Sequence, residues 1–467
     1  VTAAQTEISL YPEHHAPANM NMYDEALHRR ATEVAIWATP LMNYKAMYDS
    51  LHDVVGMQMN DIVYHSKIQD WKRALPTPSS VTPYGNLYWD LTDGPIVVEI
   101  PPTSAQGVGL FGTLLDSWHR PLTDYGVNTG EDGGRGAKYL IVPEHYQGQL
   151  PNGGGYHVIK QKNNLGWTLI RAIIKDKSEA SLQKAVAQFR KIKVYPYAER
   201  NHPKPNNYID LVDKKIDGIV KYTPDYFSKL HEILSQDIIE QKDMAMLGML
   251  QAMDIKIGAP YTTNAKRDAI FDDALKDAHE YMVSRYHGQE MIPVYYKDKK
   301  WGPIVPPSYY THRFDWDYAS HLDYDRRGAF SYATFSSVKN YGPGNFFLDT
   351  SMDSDGQWLE GEHNYKLTVP ANVPVKQFWA VTAYDMETAA FIEDMPRQGL
   401  GSTTTSLVTN SDGTVDMYIG PKAPKGKEAN WIPTKAGRKF FLLFRFYGNE
   451  KEVFTKEWQL NDVEKLN

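Results

Sequence analysis

The chain has 467 residues, with 50 basic against 57 acidic and a net charge of −7; that length exceeds one ordinary core and predicts two or three domains. The mixed charge has no basic block to follow a phosphate backbone, which speaks against nucleic acid as a partner, and no apolar run approaches the roughly 20 residues that span a bilayer. The absence of cysteine excludes disulfides, thiolate metal ligands and a cysteine nucleophile.

From about 22 to 72 the spacing is helical. Tyr23, Ala26, Leu27 and Ala31 fall on one face, and Val34, Trp37 and Leu41 continue it, with Pro40 expected to interrupt or kink the run. Leu75-Pro-Thr-Pro-Ser-Ser80 reads as a connector. From about 84 to 175 short β-type runs alternate with Gly and Pro clusters: Ile96–Ile100, Tyr139–Val142 and Trp167–Ile174. An amphipathic helix follows, with Leu182, Ala185, Val186 and Phe189 on one face.

Helical spacing returns from about 206 to 286. Thr223-Pro224 is expected to open a helix carrying Phe227, Leu230 and Leu234, and Met244, Leu247, Leu250 and Met253 form a stripe expected in the core. From about 291 onward the pattern is β, with one helix near Tyr324–Val338. Tyr365–Val369, Phe378–Tyr384 and Val415–Ile419 alternate, Phe440–Tyr447 is a long strand, and Asp412-Gly413 marks a hairpin. The expected organisation is an N-terminal helical segment and connector (1–80), a β-sandwich domain (81–200), a helical domain (201–290) and a jelly-roll-like β-sandwich (291–467). The fold class is thus mainly β with α. The 31 Tyr and 11 Trp suit such packed sheets.

The C-terminal third resembles a bacterial domain family of unknown function, DUF1214. The landmarks are Asp355-Gly356, Leu359, Gly361, Tyr365-Lys-Leu367, Phe378-Trp379, Tyr384-Asp385, Asp412-Gly413, Asn430-Trp-Ile-Pro433, Arg445-Phe-Tyr447 and Trp458. Residues from about 35 to 195 resemble its companion, DUF1254, through Trp89-Asp-Leu91, Gly94-Pro95, Leu115-Asp-Ser-Trp118, Lys138-Tyr-Leu-Ile141, Gly148, Pro151 and Arg171. That family carries an Asn-x-Asp-Thr-x-Tyr segment; here Thr82-Pro-Tyr-Gly-Asn-Leu-Tyr88 lacks its Asp. The resemblance implies a β-sandwich, a helical insert and a C-terminal jelly roll. Many members look exported. With a first residue other than Met, the expectation is a periplasmic or secreted protein whose signal peptide has been removed, with the cytoplasm as the alternative.

Ser351-Met-Asp-Ser-Asp-Gly-Gln-Trp-Leu-Glu-Gly-Glu362 comes near a calcium loop. Its first position is Ser351, its ninth is Leu359, and β-type residues flank it, so it is read as a turn. No metal is expected; Asp353, Asp355 and Glu362 in this loop, and His312 and His321 in the Asp-rich segment Thr311–Arg327, are the residues a metal would use. That segment is read as a polar interdomain stretch with Arg–Asp pairs. His14-His15 is expected in solvent, and Gly126–Gly136 is a long loop that fits neither dinucleotide nor phosphate-loop patterns. No Gly-x-Ser-x-Gly elbow is present, and no cofactor is expected.

A cleft remains. Arg171, Arg327 or Arg445 would hold a carboxylate-like or other anionic group, and Trp118, Trp379 and Trp431 with Asn430 would wall the rest. Asp116 would serve as a base if burial raised its pKa, with Arg171, Arg327 and Tyr384 as the further catalytic candidates. The plainer reading packs Trp379 and Trp431 in the core and uses Asn430 to cap a turn. Two functions follow: a ligand-binding or assembly protein, homo-oligomer included, whose ligand is small and anionic or aromatic; or a hydrolase-like enzyme with an Asp/Arg/Tyr cleft between the β domains.

Overall fold

The computed structural model describes residues 10–11, 20–127, 129–288, 291–305, 314–340 and 345–467. Helix α1 (Met22–Val55) opens at Asn21, whose side chain accepts from the Tyr23 and Asp24 amides at 3.0 Å, and closes at Gly56 with φ +69°. The chain then forms β1 (Ile62–Tyr64), β2 (Arg73–Ala74), β3 (Tyr84–Asp90), β4 (Ile96–Ile100), β5 (Leu110–Asp116), β6 (Pro121–Gly126), β7 (Ala137–Pro143), β8 (Tyr156–Gln161) and β9 (Leu165–Ala172). Helix α2 (Glu179–Phe189), β10 (Lys193–Pro196), β11 (Tyr208–Asp210) and β12 (Ile216–Asp217) follow. Next come α3 (Tyr226–Leu234), α4 (Met244–Ala252), α5 (Ala265–His287), β13 (Gly302–Pro303) and α6 (Tyr324–Ala333). The chain ends with β14 (Asn345–Thr350), β15 (Tyr365–Val369), β16 (Val375–Asp385), β17 (Gly399–Gly401), β18 (Val415–Gly420), β19 (Trp431–Pro433), β20 (Phe440–Asn449), α7 (Lys451–Thr455) and β21 (Glu464–Lys465). No helix among the described residues is long and apolar enough to cross a membrane.

The N-terminal β unit has a six-stranded sheet, β11-β1-β3-β9-β5-β6, and a four-stranded sheet, β10-β4-β7-β8. Leu87, Trp89 and Ile170 of the first share one core with Val98, Tyr139 and Ile141 of the second. The C-terminal β unit pairs β13-β14-β20-β16-β17 with β19-β18-β15-β21 around Leu348, Leu367, Met417 and Phe444. The chain is mainly β with α, as expected.

The helices pack differently from the expected consecutive segments. α1, α3, α4, α5 and α6 contribute to one core, which also takes Tyr88, Trp167 and Leu169 from the first β unit and Tyr384, Phe441 and Leu443 from the second. The reason lies in α1. It runs unbroken through Pro40, and every residue from Val34 to Lys45 is buried, so no face is left for water and elements must surround it. The α4 stripe also shifts: Met246, Leu250 and Met253 are buried, whereas Met244 is 61% exposed. Strands β11 and β12 precede α3, which starts at Tyr226 behind Asp225 rather than at Pro224.

His287 ends α5 in this core, against Tyr332 and Phe441, with Nε2 3.1 Å from the Tyr332 hydroxyl. Burial lowers its pKa from 6.5 to about 3. The folded value lies below the unfolded one, so the unfolded chain takes up the proton first. The stability tied to neutral His287 is whole above pH 6.5 and drains away as pH falls towards about 3. Comparing urea unfolding of wild type with His287→Phe across pH isolates this group. The free-energy difference is expected to move in favour of the variant by up to about 1.4 kcal/mol per pH unit below pH 6.5. A flat difference would mean that His287 titrates normally in the fold.

Candidate functional site

Strand alternation decides which side chains leave each β unit. Along β20, Phe440, Leu442, Phe444 and Phe446 point into their own core, while Phe441 and Leu443 join the helical core and Arg445 and Tyr447 face a cavity. Along β9, Ile170 and Ala172 point inward, whereas Trp167 and Leu169 join the helical core and Arg171 faces the same cavity. The outward rows of the two β units therefore confront each other. Between them lies a cavity of about 180 Å³, closed in part by the connector residues Leu75, Pro76 and Thr77 and by Phe330 and Thr334 at the end of α6.

The two arginines are set in the same way. Arg171 lies opposite Tyr84 of β3 and Phe111 of β5, with its guanidinium 5.5 and 5.8 Å from their ring centres. Arg445 lies opposite Phe347 of β14, with its guanidinium 5.1 Å from that ring. Each cation thus rests on aromatic faces of neighbouring strands. Arg445 is 7% exposed. Its Nη2 donates to the Tyr384 hydroxyl at 2.7 Å and to the carbonyls of Thr77 and Pro78 at 3.2 and 3.4 Å, while its Nε is buried without a partner among the described residues. Among those residues, neither Arg171 nor Arg445 pairs with a carboxylate.

Tyr384 stands behind Arg445. Burial pushes its phenol up to about 12, so it stays neutral, donating to the Pro78 carbonyl at 2.6 Å and accepting from Arg445. It positions the guanidinium rather than lining the cavity. Arg327 and Trp118 meet in a smaller chamber beside the first, with the guanidinium 4.9 Å above the Trp118 ring. The structure therefore brings together Arg171 and Arg445, backs them with Tyr384, and sets Arg327 and Trp118 next door.

The other sequence candidates lie elsewhere. Asp116 closes the β5–β6 turn: its Oδ1 accepts from the Trp118 and Arg120 amides at 2.9 Å and its Oδ2 lies 3.3 Å from Arg120 Nε. Burial raises its pKa, yet it lines neither chamber. Trp379 stacks on Phe444 at 5.4 Å in the C-terminal core. Asn430 bridges Val408 N, Val408 O and Asp416 O, and Trp431 donates to the Gly420 carbonyl at 2.9 Å. The 351–362 loop joins β14 to β15. Asp353 accepts from the Asp355 and Gln357 amides at 2.9 and 3.1 Å, Gly356 has φ +81°, Asp355 is exposed, and Glu362 accepts from Gly437 N at 3.1 Å. His321 is exposed and bonded to Ser320; His312, His14 and His15 lie outside the described residues.

Metal-type ligand atoms cluster among the described residues at His28, Asp273 and Asp277, and at Glu360, Glu362 and His363. Neither group lines the cavity.

Sequence reasoning missed Tyr84 and Tyr447 as cavity residues. The signal was available: period-two alternation from Arg445 puts Tyr447 on the same face. It also missed Arg73, which is 1% exposed and hydrogen-bonded through Nη2 to Asn86, with Nε and Nη1 unpartnered among the described residues. Asn86 belongs to the Thr82–Tyr88 segment that lacks the family's Asp. An Asn86→Asp substitution would set a carboxylate against a buried cation, and Asn86 Nδ2 has no partner there to lose. The expected result is a stability gain of about 1–3 kcal/mol in urea unfolding. A loss instead would show that the site balances the charge of Arg73 by other means.

The fold and site thus define a two-unit, β-rich protein joined by a shared helical core, with a cation-bearing cavity between the units. Residues 59–196 match the family described as Protein of unknown function (DUF1254), and residues 344–451 match Protein of unknown function (DUF1214). The two matches stand in a two-domain arrangement, with DUF1254 on the N-terminal side and DUF1214 on the C-terminal side. The fold is similar to the crystal structure of the VPA0106 protein from Vibrio parahaemolyticus, with a TM-score of 0.52 and 17% identity over 94% of this chain and 100% of that one. An uncharacterized protein from Burkholderia cenocepacia aligns with a TM-score of 0.40 and 12% identity, over 95% of this chain and 94% of that one. Comparison with curated proteins finds no match.

Proposed function

We propose that the interdomain cavity binds a small organic anion, a carboxylate carried on an apolar or aromatic body. One observation carries this reading: two arginines from opposing sheets border an apolar cavity, and among the described residues no carboxylate neutralises either. A buried guanidinium stays charged at physiological pH and is costly without a counter-charge, and its planar fork suits a carboxylate. Leu75, Phe111, Leu169, Phe314, Phe335 and Leu443 would take the apolar body.

Binding is favoured over catalysis because the described lining of the main cavity offers hydroxyls and guanidiniums but no carboxylate, imidazole or amine, and burial lowers the pKa of the nearest imidazole, His119 of the adjoining chamber, to about 3, which makes it a poor base. The test is a thermal-shift and calorimetric screen of straight-chain and aryl carboxylates. A ligand present at 100 times its Kd adds about 2.7 kcal/mol of stability, which a melting curve reads directly. Saturable stabilisation by an apolar carboxylate, absent with the matching alcohol, is expected. Equal effects from acid and alcohol, or none from either, would sink the reading. The same reading puts the protein outside the cytoplasm, on the strength of the family resemblance, and cell fractionation tests it.

A further inference from the structure

The main cavity does not end at its arginine-bearing wall. Phe314, Phe330, Thr334, Ser336 and Ser337 border both it and a second chamber of about 10 Å³, whose lining Trp118, His119, Trp316, Arg327 and Ser331 complete. That volume suits a single water-sized atom.

The polar groups of this chamber share a character. Arg327 is 3% exposed; its Nη2 donates to the Trp37 carbonyl at 3.0 Å, and its Nε is buried without a partner among the described residues. His119 is 8% exposed, and its Nε2 is likewise unpartnered. Burial and the neighbouring Arg327 bring its pKa to about 3, so it is a neutral ring, and its Nε2 is a donor in one tautomer and an acceptor in the other. The Ser336 hydroxyl is buried without a partner too. The Arg327 guanidinium can only donate, and the Ser336 hydroxyl and the Nε2–H form of His119 can donate alongside it, so one acceptor placed here satisfies all three.

The charge balance separates this chamber from the Arg171 and Arg445 end. Asp243, and then Asp116 and Glu240, act on Arg327 at longer range, against Arg120 of like sign. Asp243 itself accepts at 2.9 Å from the indole Nε1 of Trp37, the residue whose backbone carbonyl Arg327 uses. A second full anion here would face those carboxylates and would bring two oxygens into room for one atom.

We propose that the second chamber receives a neutral carbonyl oxygen of the same ligand, so that the ligand class is an apolar oxo-carboxylate: carboxylate at Arg171 and Arg445, ketone oxygen at Arg327, His119 and Ser336. This rests on the carboxylate-binding reading above. It also gives the chamber a role in selectivity, because a site built of unpartnered donors disfavours an analogue that leaves them buried and unsatisfied.

The test is calorimetric titration of the wild-type chain with three series of equal chain length: plain monocarboxylates, keto-carboxylates with the ketone scanned along the chain, and α,ω-dicarboxylates. At one ketone position the keto acid is expected to bind about tenfold or more tighter than the plain acid. The dicarboxylate is expected to bind no better than the plain acid. Arg327→Gln, checked for folding by its melting curve, is expected to shrink the keto preference to within about twofold. Equal affinities for keto and plain acids at every position would overturn the inference and leave the carboxylate reading standing. A preference for the dicarboxylate would overturn the assignment of a neutral oxygen. No binding by any of the three series would remove the carboxylate reading itself.

Discussion

Arg445→Met is expected to abolish carboxylate binding and to destabilise the fold at the same time. The first effect follows from charge. Arg445 is 7% exposed, and its Nε has no partner among the described residues. Losing a desolvated partner of an anion costs about 2–5 kcal/mol, or a factor of roughly 30 to several thousand in Kd. The second effect follows from Nη2, which ties the Thr77 and Pro78 carbonyls of the connector to Tyr384 of β16. Removing it takes the donor from the Thr77 carbonyl and the tie to the Tyr384 hydroxyl, which still holds the Pro78 carbonyl, at about 1–3 kcal/mol. Arg171→Met separates the two effects. Arg171 is half-buried and its side chain makes no hydrogen bond among the described residues, so its loss is expected to lower affinity at least about tenfold and stability by less than about 1 kcal/mol. Calorimetry reads the first and urea unfolding the second. Wild-type affinity in both variants would show that the cavity is not the anion site.

Trp37→Ala is expected to be the most damaging single change in the helical core. Trp37 is fully buried in α1, packs 4.9 Å from the Trp118 ring, and donates through Nε1 to Asp243 at 2.9 Å. Truncating a buried aromatic costs about 3–5 kcal/mol, and Asp243, itself 3% exposed, loses a donor as well. Because the core around α1 holds side chains from both β units, the whole urea transition is expected to shift as one. Trp37→Phe keeps most of the packing and drops the hydrogen bond, so its cost is expected near 1–3 kcal/mol. Two separate transitions in Trp37→Ala would show that the β units fold independently of this core. A cost below about 1 kcal/mol would show that the site collapses to fill the void.

Some features are legible in the residues alone. Asp355-Gly356 reads as a turn, and it joins β14 to β15 with Gly356 at φ +81°, because positive φ is a local preference that glycine carries with it. Phe440–Tyr447 reads as a long strand and is one, since a run of aromatic and branched side chains has few other places to go. Arg171 and Arg445 stand out as charges embedded in apolar, strand-like sequence, whereas Arg327 sits in a polar Asp-rich segment and does not.

The sequence by itself determined the local elements, the two family regions and the scarcity of chemistry-bearing residues. Only the tertiary structure decided which of those residues meet. Arg171 and Arg445 are 274 positions apart in the chain, and nothing local links them. They face one cavity because β9 and β20 each bury one row of side chains in their own unit and turn the other row towards the helices. Both rows of such a strand are apolar for most of its length, so the composition of the run does not say which row faces which neighbour. For the same reason Asp116 and Trp379 look like site residues in the sequence and are held in a turn and a core. Burial is a property of what packs against a residue, and for these strands the partner lies hundreds of residues away.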